Sequence, residues 1–223
     1  MAIHLESLKR TAYFSGCSFA ELDSIKKFIL EETVEKGGIF LLEGGRSDFL
    51  YFLISGVVKV YKTSTDGKEQ IFHIARPGDS LNDVSIFDCG PNAASMLAMT
   101  PVVLYKIRKG DLEVVLREHP QVALNGIKTL ASRVRRDLLL IEDLSFTQVT
   151  ARLAKVLLKL VGEATDGGPR LTHQDMAAIV GTTREVVSRS LRTMKEKGAI
   201  RLERKGVVIT NKKALEGMTT ASS

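Results

Sequence analysis

The sequence has no tryptophan and only two cysteines and five prolines among its 223 residues. Two cysteines, Cys17 and Cys89, cannot form the disulfide framework of a small secreted protein. No apolar run approaches the roughly 18 residues that a membrane-spanning helix needs. The opening residues, MAIHLESLKR, do not have the basic-then-apolar layout of a signal peptide. These absences predict a cytoplasmic protein that has no membrane partner.

The sequence motifs of common enzyme classes are also missing. We find no HExxH, no GxSxG and no Cys/His cluster at metal-ligand spacing. The glycine-rich stretch GEATDGG, residues 162–168, does not have the lysine of a phosphate-binding loop. We therefore expect no catalytic residues, no metal site and no enzymatic activity.

The positive charge of the chain is confined to its last third. Residues 146–223 carry 14 Lys and Arg against 7 Asp and Glu, whereas residues 1–145 carry 18 against 19. A basic domain favours a polyanionic partner, because neutralising phosphates releases counterions. A lysine-rich domain without such a partner is the alternative at this point.

The first part of the chain predicts an antiparallel β-domain. From about Ile39 to Ile107, short apolar runs alternate with turn signals such as Asp66-Gly67 and Pro77–Asp79. Many short strands at this spacing are typical of a barrel or sandwich. With a short helix expected around Ala20–Leu30, residues 1–119 form the first predicted domain.

Residues 120–145 predict one long helix with an apolar seam. The seam residues recur in steps of seven with intermediates three or four positions on. They are Ile127, Leu130, Val134, Leu138 and Ile141. Pairing with the same helix of a second copy would bury this seam, which predicts a homodimer. The alternative is a helix packed entirely within its own chain.

Residues 146–223 predict a winged helix-turn-helix. ARLAKVLLKLVG has the pattern of an amphipathic helix, and LTHQDMAAIVG that of a second helix with Thr172 as its N-cap. A third helix runs to about Lys197 and stops at Gly198. AIRLERKGVVIT then predicts a two-stranded wing with Lys205-Gly206 in its turn. Together with the β-domain and the long helix, this gives an α+β fold.

The third of these helices carries a polar face suited to DNA. Val187, Leu191 and Met194 form its apolar stripe. Another face holds five polar side chains: Arg184, Glu185, Ser188, Arg189 and Arg192. The N-terminal turns of such a recognition helix enter the major groove, where arginine donates to guanine and glutamate accepts from cytosine. The alternative is a solvated face with one Glu–Arg pair four residues apart.

Three stretches resemble the cyclic-AMP receptor protein/FNR family of bacterial transcription regulators. LTHQDMAAIVGTTREVVSRSLRTMKEKGAI is similar to its helix-turn-helix. FLYFLISGVVKVYKTSTDGKEQIFHIARPGD resembles its cyclic-nucleotide-binding-type β-roll, a jelly-roll-like fold, and DLSFTQVTARLAKVLLKL resembles the junction after its dimer helix. The resemblance covers nearly the whole chain. It implies an effector-sensing β-roll, a dimerisation helix and a DNA-binding domain.

The resemblance also implies roles for individual residues. Glu185 and Arg189 would read a G·C pair in each half of a palindrome. Arg184 would favour a TGTGA-like half-site and Ser188 a TTGA-like one. Thr183 would bind a phosphate. In the wing, Arg201, Arg204 or Lys205 would contact the DNA backbone.

The effector pocket departs from the cyclic-AMP branch of the family. That branch has G-E-L-x-L followed by R-S/T, where the glutamate binds ribose and the arginine binds the cyclic phosphate. In SLNDVSIFDCGPNAAS, Asn82-Asp83 replace the Gly-Glu pair and Asn92-Ala93 replace the Arg-Ser pair, which leaves no cation for the phosphate. Asp137 stands where the adenine-contacting threonine would be. These replacements argue against cyclic AMP.

Other branches of the family sense their signal through an iron–sulfur cluster or haem. An iron–sulfur cluster needs four thiolates, and two cysteines argue against it. Haem stays open; its candidate axial ligands are His4, His73, His119, Cys17 and Cys89. A thiol switch at Cys89 and an unidentified small molecule also stay open. In each case we expect Asn82, Asp83, Cys89 and Asn92 to face the effector pocket.

These observations predict a homodimeric regulator that couples an effector, redox or gas signal to binding of a palindromic operator. Double-stranded DNA, a second copy and RNA polymerase are the expected partners. One alternative is a haem-based NO or CO sensor. Another is a ligand or haem carrier that does not bind DNA.

Overall fold

The structure is a computed structural model that describes residues 3–162, 171–203 and 206–219. Its helices and strands together form the expected α+β fold. The helices are α1 (Leu5–Lys9), α2 (Phe19–Lys26), α3 (Asp83–Asp88), α4 (Lys109–Glu118), α5 (Pro120–Phe146), α6 (Val149–Gly162), α7 (His173–Val180), α8 (Arg184–Glu196) and α9 (Lys212–Gly217). The strands are β1 (Ile29–Val34), β2 (Ile39–Leu41), β3 (Phe49–Ser55), β4 (Val58–Thr63), β5 (Glu69–Ala75), β6 (Ser80–Leu81), β7 (Ser95–Ala98), β8 (Val102–Arg108), β9 (Ile200–Glu203) and β10 (Gly206–Ile209). No helix among the described residues combines the length and the apolar character needed to cross a membrane.

Two four-stranded sheets build the β-roll. One has the order β1-β8-β3-β6 and the other the order β2-β7-β4-β5. The predicted Asp66-Gly67 turn connects β4 and β5, with Gly67 at φ 81°. The helix expected around Ala20–Leu30 is shorter than predicted, because α2 ends at Lys26 and Ile29 already pairs with Ile107 of β8.

The chain separates into two compact units. The first contains residues 1–62 and 73–135, and the second contains residues 63–72 and 136–223. The predicted domain boundaries after residues 119 and 145 stay predictions.

The N-terminal segment completes the core of the first unit. Tyr13 and Phe14 are fully buried, and their rings lie 5.5 and 5.0 Å from that of Phe52 in β3. The side-chain amide of Asn125 in α5 donates to the carbonyl oxygens of Tyr13 and Ser15, at 2.9 and 2.7 Å. These bonds fasten the first turns of α5 to the segment that precedes the roll.

The second unit has a separate apolar core. Its buried members come from α6, α7, α8, the start of β9 and α9. They include Leu153, Leu157, Met176, Val187, Leu191, Met194, Ile200 and Leu215. The wing strands β9 and β10 pair antiparallel, with Ile200 opposite Ile209. Lys205 of the predicted Lys205-Gly206 turn lies outside the described residues.

Helix α5 runs unbroken over 27 residues and exposes much of its apolar seam. Ile127, Val134, Leu138 and Ile141 are 58–63% exposed, and Leu130 is half-buried. An apolar stripe of this length is what a second helix would cover.

Candidate nucleic-acid interface and effector pocket

Helix α7 begins at a reciprocal cap. The Thr172 hydroxyl accepts from the backbone N–H of Asp175 at 3.1 Å, and the Asp175 carboxylate accepts from the backbone N–H of Thr172 at 2.9 Å. This capping box satisfies two N–H groups that a helix start leaves free. It confirms Thr172 as the N-cap and fixes the position of His173, the first residue of α7.

Glycine is required at the turn between α7 and α8. Gly181 has φ 67° and ψ 51°, a left-handed conformation that side chains disfavour. A Cβ atom at this position would lie 2.6 Å from Cδ2 of Leu144 and 3.2 Å from Oε1 of Gln70. The tight turn sets the direction in which α8 starts.

Helix α8 buries one face and exposes the other. Val187, Leu191 and Met194 are fully buried, as the apolar stripe predicted. The predicted base-reading face is open to solvent, apart from Ser188, which is half-buried. Its exposed side chains are Arg184, Glu185, Arg189 and Arg192. Three guanidinium groups and one carboxylate therefore share an accessible surface that can donate to and accept from base edges.

Two residues at the start of α8 have fixed hydrogen-bonding roles. Thr183, predicted to bind a phosphate, is the N-cap of the helix, and its hydroxyl accepts from the backbone N–H of Val186 at 3.5 Å. Hydrogen bonds from the Glu185 backbone N–H and from the Thr183 hydroxyl lower the pKa of the Glu185 carboxyl. The ionised carboxylate, which this shift favours, only accepts hydrogen bonds.

Ser188 has a partner that the sequence did not predict. Its hydroxyl oxygen lies 3.1 Å from Nδ1 of His173 on α7. Both side chains are half-buried. The two residues are 15 positions apart and belong to different helices, so the periodicity of neither helix indicates the contact.

Of the three wing residues predicted to contact the DNA backbone, one lies within the described residues. Arg201 is exposed, and its guanidinium pairs with Glu203 at 2.6 Å. Arg204 and Lys205, the other predicted backbone contacts, lie outside the described residues.

The end of α5 is bonded to the helices that follow it. Arg152 on α6 donates to the carbonyl oxygens of Val180, Asp143 and Thr147, at 2.8, 3.2 and 2.6 Å. Lys155, one turn further on, pairs with the Asp143 carboxylate. Desolvation of the Arg152 guanidinium lowers its pKa from the ordinary value. Asp143, near the end of α5, is thus engaged by two cations: Arg152 at its carbonyl oxygen and Lys155 at its carboxylate.

In the roll, Asp83 is completely buried, and both of its carboxylate oxygens accept hydrogen bonds. Its Oδ1 accepts from the hydroxyls of Tyr13 and Ser80, at 2.7 and 2.6 Å. Its Oδ2 accepts from Nη1 of Arg133 in α5 at 2.7 Å. Arg133 also donates to the carbonyl oxygen of Ser80 at 2.9 Å. The cationic partner of Asp83 therefore comes from the long helix, 50 residues further along the chain.

The other predicted pocket residues are distributed around α3. Asn82 and Cys89 flank this helix in left-handed conformations, with φ 69° and 59°. Asn82 and Asn92 are buried, whereas Cys89 and Asp137 are exposed. Asn92 donates to the carbonyl oxygen of Leu42 at 3.0 Å, while its own Oδ1 has no hydrogen-bond partner among the described residues.

A cyclic nucleotide, the ligand of the cyclic-AMP branch, does not fit these residues. Asp83 has no exposed surface, and its two oxygens already accept three hydrogen bonds. Asn92 replaces the phosphate-binding arginine and carries no charge. Arg133, the cation beside Asp83, is already paired with that carboxylate. An anionic phosphate placed beside the carboxylate and the neutral amide of Asn92 would therefore find no free positive charge.

Three of the candidate ligands for haem or a thiol switch, His73, His119 and Cys89, have side-chain partners within the protein. His73 bonds to Asp79 at 2.9 Å, and His119 bonds to Ser24 at 3.1 Å. Cys17 is buried in the core, and Cys89 accepts from the ammonium of Lys109 at 2.8 Å. Among the described residues, no three His, Cys, Asp or Glu side chains are grouped to hold a metal ion.

Comparison with known proteins gives matches to both parts of the chain. Residues 31–119 match the family model of the cyclic nucleotide-binding domain, and residues 151–218 match that of the Crp-like helix-turn-helix domain. The CRP-like cAMP-activated global transcriptional regulator of Mycobacterium tuberculosis is 33% identical over 217 residues, which cover 94% of this chain and 97% of that protein.

Solved structures agree with the sequence matches. The catabolite activator protein of Thermus thermophilus is 30% identical, with a TM-score of 0.57 over 94% of this chain and 98% of its own. FixK2 of Bradyrhizobium japonicum shares the fold with a TM-score of 0.74 at 23% identity, over 87% of this chain and 99% of its own.

Proposed function

The chain belongs to the Crp/Fnr family of DNA-binding transcription regulators, and from this premise we propose that it acts as a homodimer on a palindromic operator. The observation that carries the proposal is the exposed face of α8, where Arg184, Glu185 and Arg189 surround the half-buried Ser188. Glu185 and Arg189 are proposed to read one G·C pair in each half-site. Arg184 and Ser188 are proposed to select between TGTGA-like and TTGA-like half-sites.

The exposed seam of α5 supports the homodimer. Ile127, Val134, Leu138 and Ile141 lie at heptad-like spacing and are each more than half exposed. Covering this stripe with the same stripe of a second copy gives a two-fold symmetric pair. Two recognition helices related by that symmetry match the two halves of a palindrome.

We propose that DNA binding does not require a cyclic nucleotide. The closed Tyr13–Asp83–Arg133 network supports this, because it uses the carboxylate that would otherwise receive a ligand and connects it to α5. An effector or redox signal acting on the roll would reach the operator by changing this connection. RNA polymerase is the proposed further partner, and the cytoplasm the proposed location.

A fluorescence-anisotropy titration at fixed salt tests the proposal. Two palindromes, one with TTGA and one with TGTGA half-sites, are titrated with and without cyclic AMP. Tight, selective binding to one of them without nucleotide is expected. Equal binding to a scrambled duplex would exclude sequence-specific recognition, and binding that appears only with cyclic AMP would contradict the ligand-free mechanism.

A further inference from the structure

His173 and Ser188 form a pair at the edge of the proposed base-reading face. The Nδ1 atom of His173 lies 3.1 Å from the Ser188 hydroxyl oxygen. The pair is held on both sides. The capping box of Thr172 and Asp175 fixes His173, while the buried Val187 fixes the turn of α8 that carries Ser188.

We propose that His173 is a positioning residue that decides whether Ser188 offers DNA a hydrogen-bond donor or an acceptor. The proposal rests on the proposed function, because it assumes that Ser188 faces a base edge. It adds a specificity-determining residue outside the recognition helix.

The proposal follows from the hydrogen-bonding capacity of a hydroxyl, which has one donor and two acceptor positions. When His173 is neutral with its proton on Nε2, the Ser188 hydroxyl donates to Nδ1. Only its lone pairs then remain for DNA, and they suit the amino groups of adenine or cytosine. When the ring is an imidazolium, Nδ1–H donates to Ser188 and the hydroxyl hydrogen becomes free. It then suits thymine O4 or guanine O6 and N7.

Protonation of the Nε2–H tautomer of His173 therefore inverts the hydrogen-bonding character of Ser188. A histidine can exchange between a neutral and a cationic form, so pH is the variable of the experiment. The positive charge of the imidazolium would also strengthen attraction to phosphates, independently of the base.

Each of the helices α6, α7 and α8 carries charged groups. On α7, Asp175 is bonded to Thr172. On α6, Arg152 is bonded to Val180 at the far end of α7, and Lys155 is paired with Asp143. On α8, Arg184 and Arg192 lie one turn before and one turn after Ser188, with Glu185 beside them; all three are exposed. The exposed groups are screened by salt, so the experiment is run at constant ionic strength.

The experiment measures base preference at two pH values. Four palindromes that differ only at the symmetric base pair read by Ser188 are titrated with the full-length protein at pH 5.5 and pH 8. The expected result is that the preference between an amino-bearing base and a carbonyl-bearing base changes by about fivefold or more, the effect of one hydrogen bond. Overall affinity should also rise at the lower pH.

Two variants separate positioning from charge. Ser188→Ala should keep the rise in overall affinity at pH 5.5 but lose the change in base preference. His173→Phe should lose both the rise in affinity and the change in base preference. His173→Gln, which keeps a polar group near the hydroxyl, should show one base preference that is the same at both pH values. A pH-dependent preference that survives in His173→Phe, or an unchanging preference in the wild-type protein, would overturn the inference.

The two proposals fail in different ways. If the wild-type protein binds a palindrome selectively but its base ranking is the same at both pH values, only the role of His173 is wrong. If it binds no palindrome better than a scrambled duplex at either pH, the proposed function itself is wrong.

Discussion

The Nη1 atom of Arg133 lies 2.7 Å from Oδ2 of Asp83, a carboxylate with no exposed surface. The pair joins α5 to the first residue of α3, within the residues 31–119 that match the family model of the cyclic nucleotide-binding domain. A buried ion pair is costly to break from one side, because the remaining charge is left without a partner.

Arg133→Ala should destabilise the protein by about 3–5 kcal/mol, because it leaves Asp83 buried and unpaired. Urea unfolding monitored by circular dichroism measures the change. Arg135→Ala, two residues away and exposed on the same helix, is the matched control and should change stability by less than about 0.5 kcal/mol. Equal effects of the two substitutions would show that the ion pair contributes no special stability.

Tyr13 makes stability sensitive to alkaline pH. Burial, the charge of Asp83 and the hydrogen bond to Asp83 raise the pKa of the Tyr13 phenol far above its ordinary value of 10.0. The folded protein therefore holds a proton that the unfolded chain releases above pH 10. The contribution of the Tyr13 phenol to the free energy of unfolding is fully present below pH 10. Above pH 10 the free energy of unfolding should fall by about 1.4 kcal/mol per pH unit.

Urea midpoints between pH 8 and 11 measure this loss, and tyrosinate absorbance measures the titration itself. In Tyr13→Phe the decline in stability above pH 10 should be shallower than in the wild-type protein. One tyrosinate transition that coincides with unfolding should also disappear. A phenol that titrates fully before the protein unfolds would contradict the buried Tyr13–Asp83 bond.

The exposed seam of α5 predicts the oligomeric state. Ile127→Glu combined with Val134→Glu should give monomers, because four carboxylates would meet in a symmetric apolar interface. Sedimentation velocity measures the mass. Lys128→Glu, which changes an exposed residue next to the seam, should leave a dimer. A dimer that persists in the double variant would remove α5 as the interface.

Arg189 is predicted to discriminate one base pair. Arg189→Ala should weaken operator binding by about 1–3 kcal/mol and relax selectivity at that position alone. Anisotropy titrations of operators with single-base changes measure both effects. Lys195→Ala, near the C-terminal end of the same helix, serves as the control and should lower affinity equally for all of them. Unchanged selectivity in the Arg189 variant would place its side chain away from the bases.

The turn before α8 gives a test of backbone geometry. Gly181 and Gly198 both have left-handed φ angles, 67° and 69°, but only Gly181 would place a Cβ atom against another side chain. Gly198→Ala should cost about 1–2 kcal/mol of stability, the usual penalty of that conformation. Gly181→Ala should cost more, and thermal unfolding measures both. Equal costs would mean that Leu144 moves aside freely.

The sequence predicted those features that depend on neighbouring residues. Three such features are the Thr172 cap, the buried stripe of α8 and the Asp66-Gly67 turn. Each is formed by residues that lie close together in the sequence. The pairing of His173 with Ser188 and of Asp83 with Arg133 joins distant segments, and no periodicity encodes such contacts. Helix α3 was also missed, since its six residues are too short for a periodic signal. The wrong end of α2 has a similar cause, because pairing with β8 decides where β1 starts.

The bonds from Asn125 to Tyr13 and Ser15 have a consequence for synthesis of the chain. They join residues 112 and 110 positions apart. More than a hundred further residues must therefore be synthesised before Asn125 can bond to the N-terminal segment. At about 5–20 residues per second, the ribosome needs on the order of 5–20 s to supply them. During that interval Leu8, Tyr13 and Phe14, which end fully buried, have no finished core to enter. The nascent chain should therefore be a substrate for chaperones that bind exposed apolar segments until α5 emerges.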